Sequence, residues 1–432
     1  MGSTQIKSST KLGATGPAVF PIALGCMAMS GIYGKTTDDE GIATIHEAID
    51  RGINLIDTGD FYGTGHNEML VGRAIRGRRD KVHVSVKFGA LVGPDRVFVG
   101  FDARPQLVKA FAAYSLKRLG IDVIDIYRPA RLDPNVPIEE TIGAIADLIK
   151  AGFVKHVGLS EVGVETIRRA QAVHPVVDVQ TEYSLISRGP EQKIFPALEE
   201  LGMSATLYGI LSRGLLSGSK LAGPGDIRGH FPRFSPEHLA QNEAVVASFS
   251  AFAKERGQSA AQLALAWVLA KQPRLVPLAG ARTPAQLLDL LAALDRPLSG
   301  EEVQALEAIV PADAILGSRY PAAHMAQLSP LYGFARAYWH LRSPTLKDSR
   351  LHAQRALRWR NRRSSDWCHQ RQRKGRCSVE VLLLIRGSGA GALPSLFFVR
   401  FPARFMTICV HNALTPLPSQ DRCSRSELGR PV

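Results

Sequence analysis

The sequence predicts a (β/α)8 TIM barrel, because short β-rich runs alternate with helical patterns through most of the chain. The chain has 432 residues, 45% of them apolar, which suffices for one large domain with a substantial core plus an extension. The β-rich runs are apolar along their length, as in strands of a parallel sheet covered by helices on both faces. Eight such units in about 300 residues are typical of a TIM barrel.

Eight strands are predicted, at 20–25, 53–58, 82–88, 122–127, 154–160, 176–183, 203–209 and 274–280. Helices are predicted at 38–51, 104–119, 138–151, 163–173, 191–201, 259–270 and 284–294. The first begins with the acidic run Asp38–Glu40, which favours a helix N-terminus, and 138–151 carries four isoleucines on one face before Gly152. We expect a short N-terminal β-hairpin ahead of the barrel.

A doubly wound sheet is the structural alternative. No predicted strand leads into a G-x-G-x-x-G turn that opens a helix. The segment GSGAG at 387–391 lies late in the chain and precedes Pro394, so it is a poor dinucleotide-binding loop. The sequence therefore favours the barrel.

The net charge of +14 belongs to the last part of the chain. Residues 1–340 hold 35 Lys and Arg against 34 Asp and Glu, whereas residues 341–432 hold 18 against 5. Because the alternation of strands and helices also stops after about residue 330, we divide the chain into a barrel at 1–330, for which no nucleic-acid binding is expected, and a basic extension at 331–432. The preferred interpretation of the extension is a non-homologous segment, disordered or out of frame. An alternative is a basic tail that binds nucleic acid through phosphate contacts and stacking.

We consider two alternatives for two apolar runs in this extension, VEVLLLIRG and LPSLFFVRF: stray strands, or segments that lie at a membrane surface. Both runs are too short to span a bilayer.

Cys26 is the single cysteine before the extension, and the spacings of the other four match no zinc pattern, so no metal is expected. The N-terminal segment has no apolar signal region. We expect a cytoplasmic protein without membrane contact, as a monomer or homo-oligomer.

Asp57, Tyr62 and Lys87 each lie at or just past the end of a predicted strand, where a TIM barrel builds its active site. A buried lysine needs an acidic partner, which Asp57 can supply. Together they can lower the pKa of Tyr62 from about 10 towards neutrality, so that it exchanges a proton with a carbonyl oxygen. The structural alternative is a turn cap, a buried ion pair and a packed loop tyrosine. Three such groups at one barrel end favour catalysis.

Several segments, in order and from about residue 8 to about residue 325, resemble the aldo-keto reductase family: GINLIDTGDFYGTGHNE, SVKFG, SLKRLGIDVIDIY, DPNVPIEETIGAIADLIKAGFVKHVGLSEV and VQTEYSLISR. The resemblance implies a barrel that binds NADPH without a Rossmann fold and moves a hydride between the nicotinamide and a carbonyl carbon. It also implies that Tyr62 is the proton donor and that Asp57 and Lys87 tune it.

The resemblance implies a set of cofactor residues as well. Ser160 and Gln180 resemble the groups that bind the nicotinamide carboxamide, and Tyr208 resembles the aromatic residue that stacks on the ring. Arg282 is suited to a 2′-phosphate, which favours NADPH over NADH. Two residues are expected beside the pyrophosphate, Leu211 and Arg213, and three more join Arg282 around the adenosine phosphate: Gly280, Ala281 and Gln286.

The chain departs from the family at Ala130, where many members have a histidine that orients the substrate carbonyl. His83 and His156 lie at strand starts, so neither is a convincing replacement. Arg128 shares the inward parity of Ala130 and either polarises a carbonyl oxygen or forms a structural ion pair. We expect a catalytic triad with an enlarged pocket for a bulky ketone; the alternative is an NADPH-binding regulatory barrel with negligible turnover.

The small-molecule substrate is expected to be an aldehyde or a hydrophobic ketone. Residues near strand ends supply an apolar lining that suits such a molecule. The predicted pocket residues are Met27, Tyr33, Phe88 and Arg128.

Overall fold

The computed structural model describes residues 9–95, 97–221, 223, 226–322, 325 and 328, together with the backbone of 378–385 and 395–402. The chain divides into two compact units, residues 1–342 and 343–432. The first unit is a closed barrel of eight parallel strands with helices between them, which confirms the predicted fold.

All eight predicted barrel strands are present, and an antiparallel hairpin precedes them. A second hairpin, formed by Ala90–Val92 and Phe98–Phe101, follows the third barrel strand. The strands of the first unit are β1 (Thr10–Lys11), β2 (Ala18–Val19), β3 (Ala23–Gly25), β4 (Leu55–Gly59), β5 (His83–Phe88), β6 (Ala90–Val92), β7 (Phe98–Phe101), β8 (Ile124–Pro129), β9 (Val154–Ser160), β10 (Val176–Glu182), β11 (Ser204–Tyr208) and β12 (Val276–Gly280). Around the barrel the strand order is β10, β11, β12, β3, β4, β5, β8, β9.

The helices of the described residues are α1 (Asp38–Asp50), α2 (His66–Ala74), α3 (Pro105–Leu119), α4 (Ile138–Lys150), α5 (Val164–Val173), α6 (Ile194–Glu200), α7 (Pro236–Glu255), α8 (Ala260–Lys271), α9 (Pro284–Leu291) and α10 (Gly300–Ile309). Sequence patterns did not predict α2, α7 and α10. The buried face of α2 contains Asn67 and Glu68, so its apolar periodicity is weak. Asn67 donates to the carbonyl oxygen of Cys26, and Glu68 pairs with Arg118 of α3.

A small apolar cluster lies apart from the large core that joins the strands to the surrounding helices. Leu12 and Val19 of the N-terminal hairpin pack there against Leu55 and Ile126. Gly13 lets the hairpin approach closely, since a Cβ at this position would meet the Val177 carbonyl oxygen at 2.4 Å. The hairpin thus closes the amino end of the barrel with apolar side chains, and the polar inward residues lie above it.

In the second unit, β13 (Ser378–Ile385) pairs antiparallel with β14 (Ser395–Pro402). Both apolar runs of the extension therefore contain strands. The segment at 387–391 lies outside the described residues, and the boundary at residue 330 and the origin of the extension stay predictions. Among the described residues, no helix combines the length and the apolar composition that a membrane span requires.

Candidate active site

Asp57, Lys87 and Tyr62 come together at the carboxyl end of the barrel. Strands β4 and β5 are neighbours, with Gly59 opposite Lys87. The Lys87 ammonium donates to Oδ1 of Asp57, and both side chains are only 5% exposed. Its Nζ lies 5.1 Å from the centroid of the Tyr62 ring. The predicted carboxylate, amine and phenol are therefore one cluster.

The loop after β4 holds Tyr62 over this pair. The Asp60 amide donates to the Lys87 carbonyl oxygen at 2.9 Å, and the Tyr62 amide donates to that of Gly59 at 3.1 Å. Phe61 packs edge-on against Tyr62, with centroids 4.7 Å apart. A Cβ at Gly59 would lie 3.2 Å from Phe61 and 3.4 Å from Tyr62, so glycine makes room for both rings.

The pKa of Tyr62 differs in direction from the sequence prediction. Burial raises the pKa of its phenol well above the usual value, and the charge of Asp57 raises it further. Burial also lowers the pKa of Lys87, although Asp57 opposes this effect. Desolvation therefore outweighs the nearby charges. Tyr62 stays protonated in this environment, as a proton donor requires.

Three of the predicted cofactor residues lie at or near the ends of adjacent strands. Gln180 of β10 is opposite Ser160 of β9 and Thr206 of β11, and Tyr208 ends β11. The Gln180 amide nitrogen donates to Oδ2 of Asp57 at 2.9 Å. Gln180, which is predicted to bind the nicotinamide, thus adjoins the cluster of Asp57, Lys87 and Tyr62 through a direct hydrogen bond.

Leu211 and Arg213 lie in the loop after β11. Ser212 and Arg213 both adopt left-handed backbone conformations, with φ of 49° and 57°. Arg213 donates to Glu182 at 3.3 Å, and its guanidinium lies 4.4 Å from the centroid of the Phe231 ring. Leu211 is half-buried and packs against the core. This loop places a cation beside the carboxyl end of the barrel, which we call the mouth.

The other predicted cofactor residues, Gly280, Ala281, Arg282 and Gln286, join β12 to α9. The Arg282 amide donates to Oε1 of Gln286 at 3.0 Å, and the Arg282 guanidinium donates to the Tyr33 carbonyl oxygen at 3.2 Å. The Ala281 side chain is buried, whereas open space surrounds the position a Cβ would take at Gly280. A guanidinium next to a helix N-terminus suits a phosphate group.

Two predicted pocket residues lie near this mouth, and two do not line it. Met27 and Tyr33 follow β3 and are half-buried, and burial raises the pKa of Tyr33 to about 12. Phe88 faces outward and is fully buried, stacked on Tyr127 with centroids 4.2 Å apart, so its prediction as a pocket residue is wrong. Arg128 is also fully buried and pairs with Asp178 at 2.9 Å. Of its two predicted roles, this geometry favours the structural ion pair over polarisation of a carbonyl oxygen.

Neither histidine considered as a substitute at Ala130 reaches the mouth. His83 begins β5, with Nδ1 3.7 Å from Asp125 Oδ1. His156 is opposite Ile126, near the start of β8. The described residues also contain no group of three His, Cys, Asp or Glu side chains that could hold a metal ion.

Sequence reasoning missed a charged cluster at the mouth. Arg319 donates to both carboxylate oxygens of Glu161, at 2.6 and 3.0 Å, and Tyr208 donates its hydroxyl to the same group at 2.8 Å. Arg131 donates to the hydroxyls of Ser160 at 3.3 Å and Tyr320 at 3.2 Å. Burial opposes ionisation of Glu161, but the charge of Arg319 lowers its pKa to about 2. Glu161 follows a predicted strand end, whereas no pattern indicated Arg319 and Tyr320.

Comparison with known proteins agrees with this geometry. Residues 21–311 match the model of the Aldo/keto reductase family. A probable aldo-keto reductase from Glycine max is 37% identical over 318 residues, which cover 72% of this chain and 91% of the relative. The structure of a glycerol dehydrogenase from Gluconobacter oxydans superposes with a TM-score of 0.64 at 31% identity, covering 72% of this chain and 98% of that one. The structure of an aldo-keto reductase from Bacillus halodurans in its holo form superposes with a TM-score of 0.61 at 26% identity, covering 73% of this chain and 99% of that one.

Proposed function

The chain belongs to the aldo/keto reductase family, whose members carry out oxidoreduction of carbonyls, and we propose that it reduces an aldehyde or a bulky hydrophobic ketone with NADPH. The observation that carries the proposal is the contact between the buried Lys87–Asp57 pair and the ring of Tyr62, with Gln180 bonded to the same carboxylate. This arrangement joins a proton donor to an amide that can hold a nicotinamide.

The residues around the mouth fit a nicotinamide dinucleotide phosphate. Ser160 and Gln180 offer a hydroxyl and an amide for a carboxamide, and Tyr208 offers a half-buried aromatic face. Arg213 and Arg282 offer cations, the second beside the N-terminus of α9. When bound, NADPH supplies the hydride for the carbonyl carbon. The cation at Arg282 is the reason for preferring NADPH to NADH.

Tyr62 donates the proton to the carbonyl oxygen in the proposed reaction. Its raised pKa keeps the phenol protonated before transfer. After transfer, the phenolate faces the Lys87 ammonium, whose charge favours it in a site of low dielectric. Asp57 holds this ammonium in place through Oδ1. Proton transfer of this kind contributes a rate factor of about 10² to 10⁴.

Ala130 favours a second candidate function. Its side chain is buried just past the end of β8 and carries no group that can orient a carbonyl. A barrel of this kind could bind NADPH and turn over negligibly, as a regulatory protein. The two functions differ in turnover and not in cofactor binding.

The test is a panel of aldehydes and ketones with NADPH and with NADH, followed by the loss of absorbance at 340 nm. We expect carbonyl-dependent oxidation of NADPH, and a fall in kcat of about 10² to 10⁴ in Tyr62→Phe with unchanged NADPH binding by fluorescence. Tyr114→Phe is the control, because Tyr114 lies on the outer face of α3 and is 57% exposed. NADPH binding with no turnover on any carbonyl would favour the regulatory barrel. A cytoplasmic location stays a prediction.

A further inference from the structure

Six side chains inside the barrel form a closed ring of hydrogen bonds. From Oδ2 of Asp57 the ring runs through Ser85 (2.9 Å) to Arg128 (3.2 Å), then to Oδ2 of Asp178 (2.9 Å), on to Thr206 (2.7 Å) and Gln180 (3.4 Å), and back to Oδ2 of Asp57 (2.9 Å). All six residues are buried. They come from five strands, so the ring ties together most of the barrel wall around the catalytic cluster.

Both arms of the ring end on one atom. Ser85 and Gln180 each donate to Oδ2 of Asp57, at 2.9 Å in both cases. Lys87 donates to the other oxygen, Oδ1. The ring therefore fixes the rotation of the carboxylate, and with it the direction in which Lys87 is held.

Stability alone is a poor reason for the Arg128–Asp178 pair. Both side chains are 0% exposed, and burying two ions costs desolvation energy that an apolar pair would avoid. Among the described residues, Nε of Arg128 and Oδ1 of Asp178 have no hydrogen-bond partner. The pair also requires glycine at position 158, where a Cβ would lie 2.9 Å from Cζ of Arg128 and 3.0 Å from Oδ1 of Asp178.

We propose that Arg128 and Asp178 are positioning residues for proton transfer, which act through Ser85 on one side and through Thr206 and Gln180 on the other to orient Asp57 towards Lys87. This inference rests on the proposed reductase function. The pair touches neither Tyr62 nor the mouth, and it balances the charge near Lys87. Together with the Lys87–Asp57 pair, it gives two buried carboxylates and two buried cations in and beside the ring.

The charges that face Lys87 determine in which direction each variant should shift its pKa. Asp57 faces it from β4, Arg128 from β8, and the Cys26 thiol and Tyr62 ring from the loops after β3 and β4. Asp178→Asn leaves the Arg128 charge uncompensated, which disfavours a protonated Lys87 and lowers its pKa. Arg128→Met removes the cation and raises that pKa. The two single variants should therefore shift the same titration in opposite directions.

The experiment compares the full-length wild type with both single variants and with the double variant Arg128→Met/Asp178→Leu. Two readouts are used: the basic limb of the pH profile of kcat, and the pH titration of the Lys87 side chain by ¹³C NMR on lysine-labelled protein without cofactor. The double variant replaces the buried ion pair by apolar groups and so keeps the fold measurable if a single variant unfolds. We expect opposite shifts in the single variants. In the double variant kcat should fall about 10- to 100-fold with KM for the carbonyl unchanged.

Asp125→Asn is the matched control. Asp125 is also buried and pairs with Arg79 at 2.6 Å, but it sits at the start of β8, away from the catalytic cluster. Asp125→Asn should lower the melting temperature and leave both the pH profile of kcat and the NMR titration of Lys87 unchanged.

The outcomes separate this inference from the proposed function. A wild type without turnover defeats the proposed function, and the NMR titration of Lys87 still tests the ring. Lys87 titrations that coincide in the wild type and both single variants, or a double variant with wild-type kcat, would overturn the positioning role.

Discussion

Arg319→Met removes the cation that neutralises two buried carboxylates at the barrel mouth. The Arg319 side chain is 6% exposed, and its partners Glu161 and Glu182 are 0% and 1% exposed. Glu182 keeps Arg213 at 3.3 Å and Arg233 at 3.7 Å, so the loss falls mainly on Glu161. Breaking one side of a buried pair costs about 3–5 kcal/mol.

The pKa of Glu161 gives a second estimate of the same cost. Its pKa is lowered from 4.5 to about 2, and a difference of this size corresponds to roughly 3 kcal/mol of stability at neutral pH. Because the folded-state pKa is depressed, this stabilisation is complete above the ordinary pKa of 4.5 and disappears as the pH falls through about 2. The difference between wild type and variant should therefore shrink by about half between pH 7 and pH 3.

Urea unfolding of the full chain at pH 7 and pH 3, followed by circular dichroism, measures both effects. Arg274→Met is the control, since Arg274 pairs with Glu199 at the same 2.6 Å as Arg319 with Glu161, but with side chains 78% and 65% exposed. It should change stability little at either pH. If Arg319→Met costs no more than Arg274→Met, or if its cost is the same at both pH values, the reasoning from burial and charge fails.

Three further outcomes follow from the site. Arg282→Met should raise the Kd of NADPH by about 10-fold or more while leaving that of NADH nearly unchanged, as measured by cofactor fluorescence; an equal loss for both cofactors would contradict a 2′-phosphate contact. Ala130→His should shift the ratio of kcat for a small aldehyde to that for a bulky ketone towards the aldehyde, and an unchanged ratio would refute the enlarged pocket. Deletion of residues 341–432 should leave carbonyl reduction and the melting temperature of the barrel intact; loss of the folded barrel would show that the extension is needed.

The strands could be predicted because strands buried on both faces are apolar along their length, and this pattern is visible in the sequence. Helix α2 could not, since Asn67 and Glu68 occupy buried positions that the pattern assigns to apolar residues. Phe88 illustrates a different failure: the alternation that points Lys87 inward points its neighbour outward, yet its position at the strand end suggested a pocket residue. Parity is the stronger signal of the two.

Long-range partners were the part of the site that the sequence could not specify. The alternation along β8 placed Arg128 inside the barrel, but its partner Asp178 is fifty positions away and depends on the register of β9 and β10. The direction of the Tyr62 pKa was wrong for a related reason. Nearby charges can be inferred from a motif, whereas desolvation depends on everything packed around the phenol.

The absence of a histidine at position 130 changes how the substrate carbonyl has to be oriented in the proposed site. In the proposed reaction Tyr62 donates the proton with Lys87 beside it, but the methyl group of Ala130 offers nothing that can orient the carbonyl. Orientation then has to come from contacts between the rest of the substrate and the pocket. We expect a bulky ketone to make more such contacts than a small aldehyde. The proposed preference for large hydrophobic carbonyls therefore follows from the same residue that raises the question of turnover.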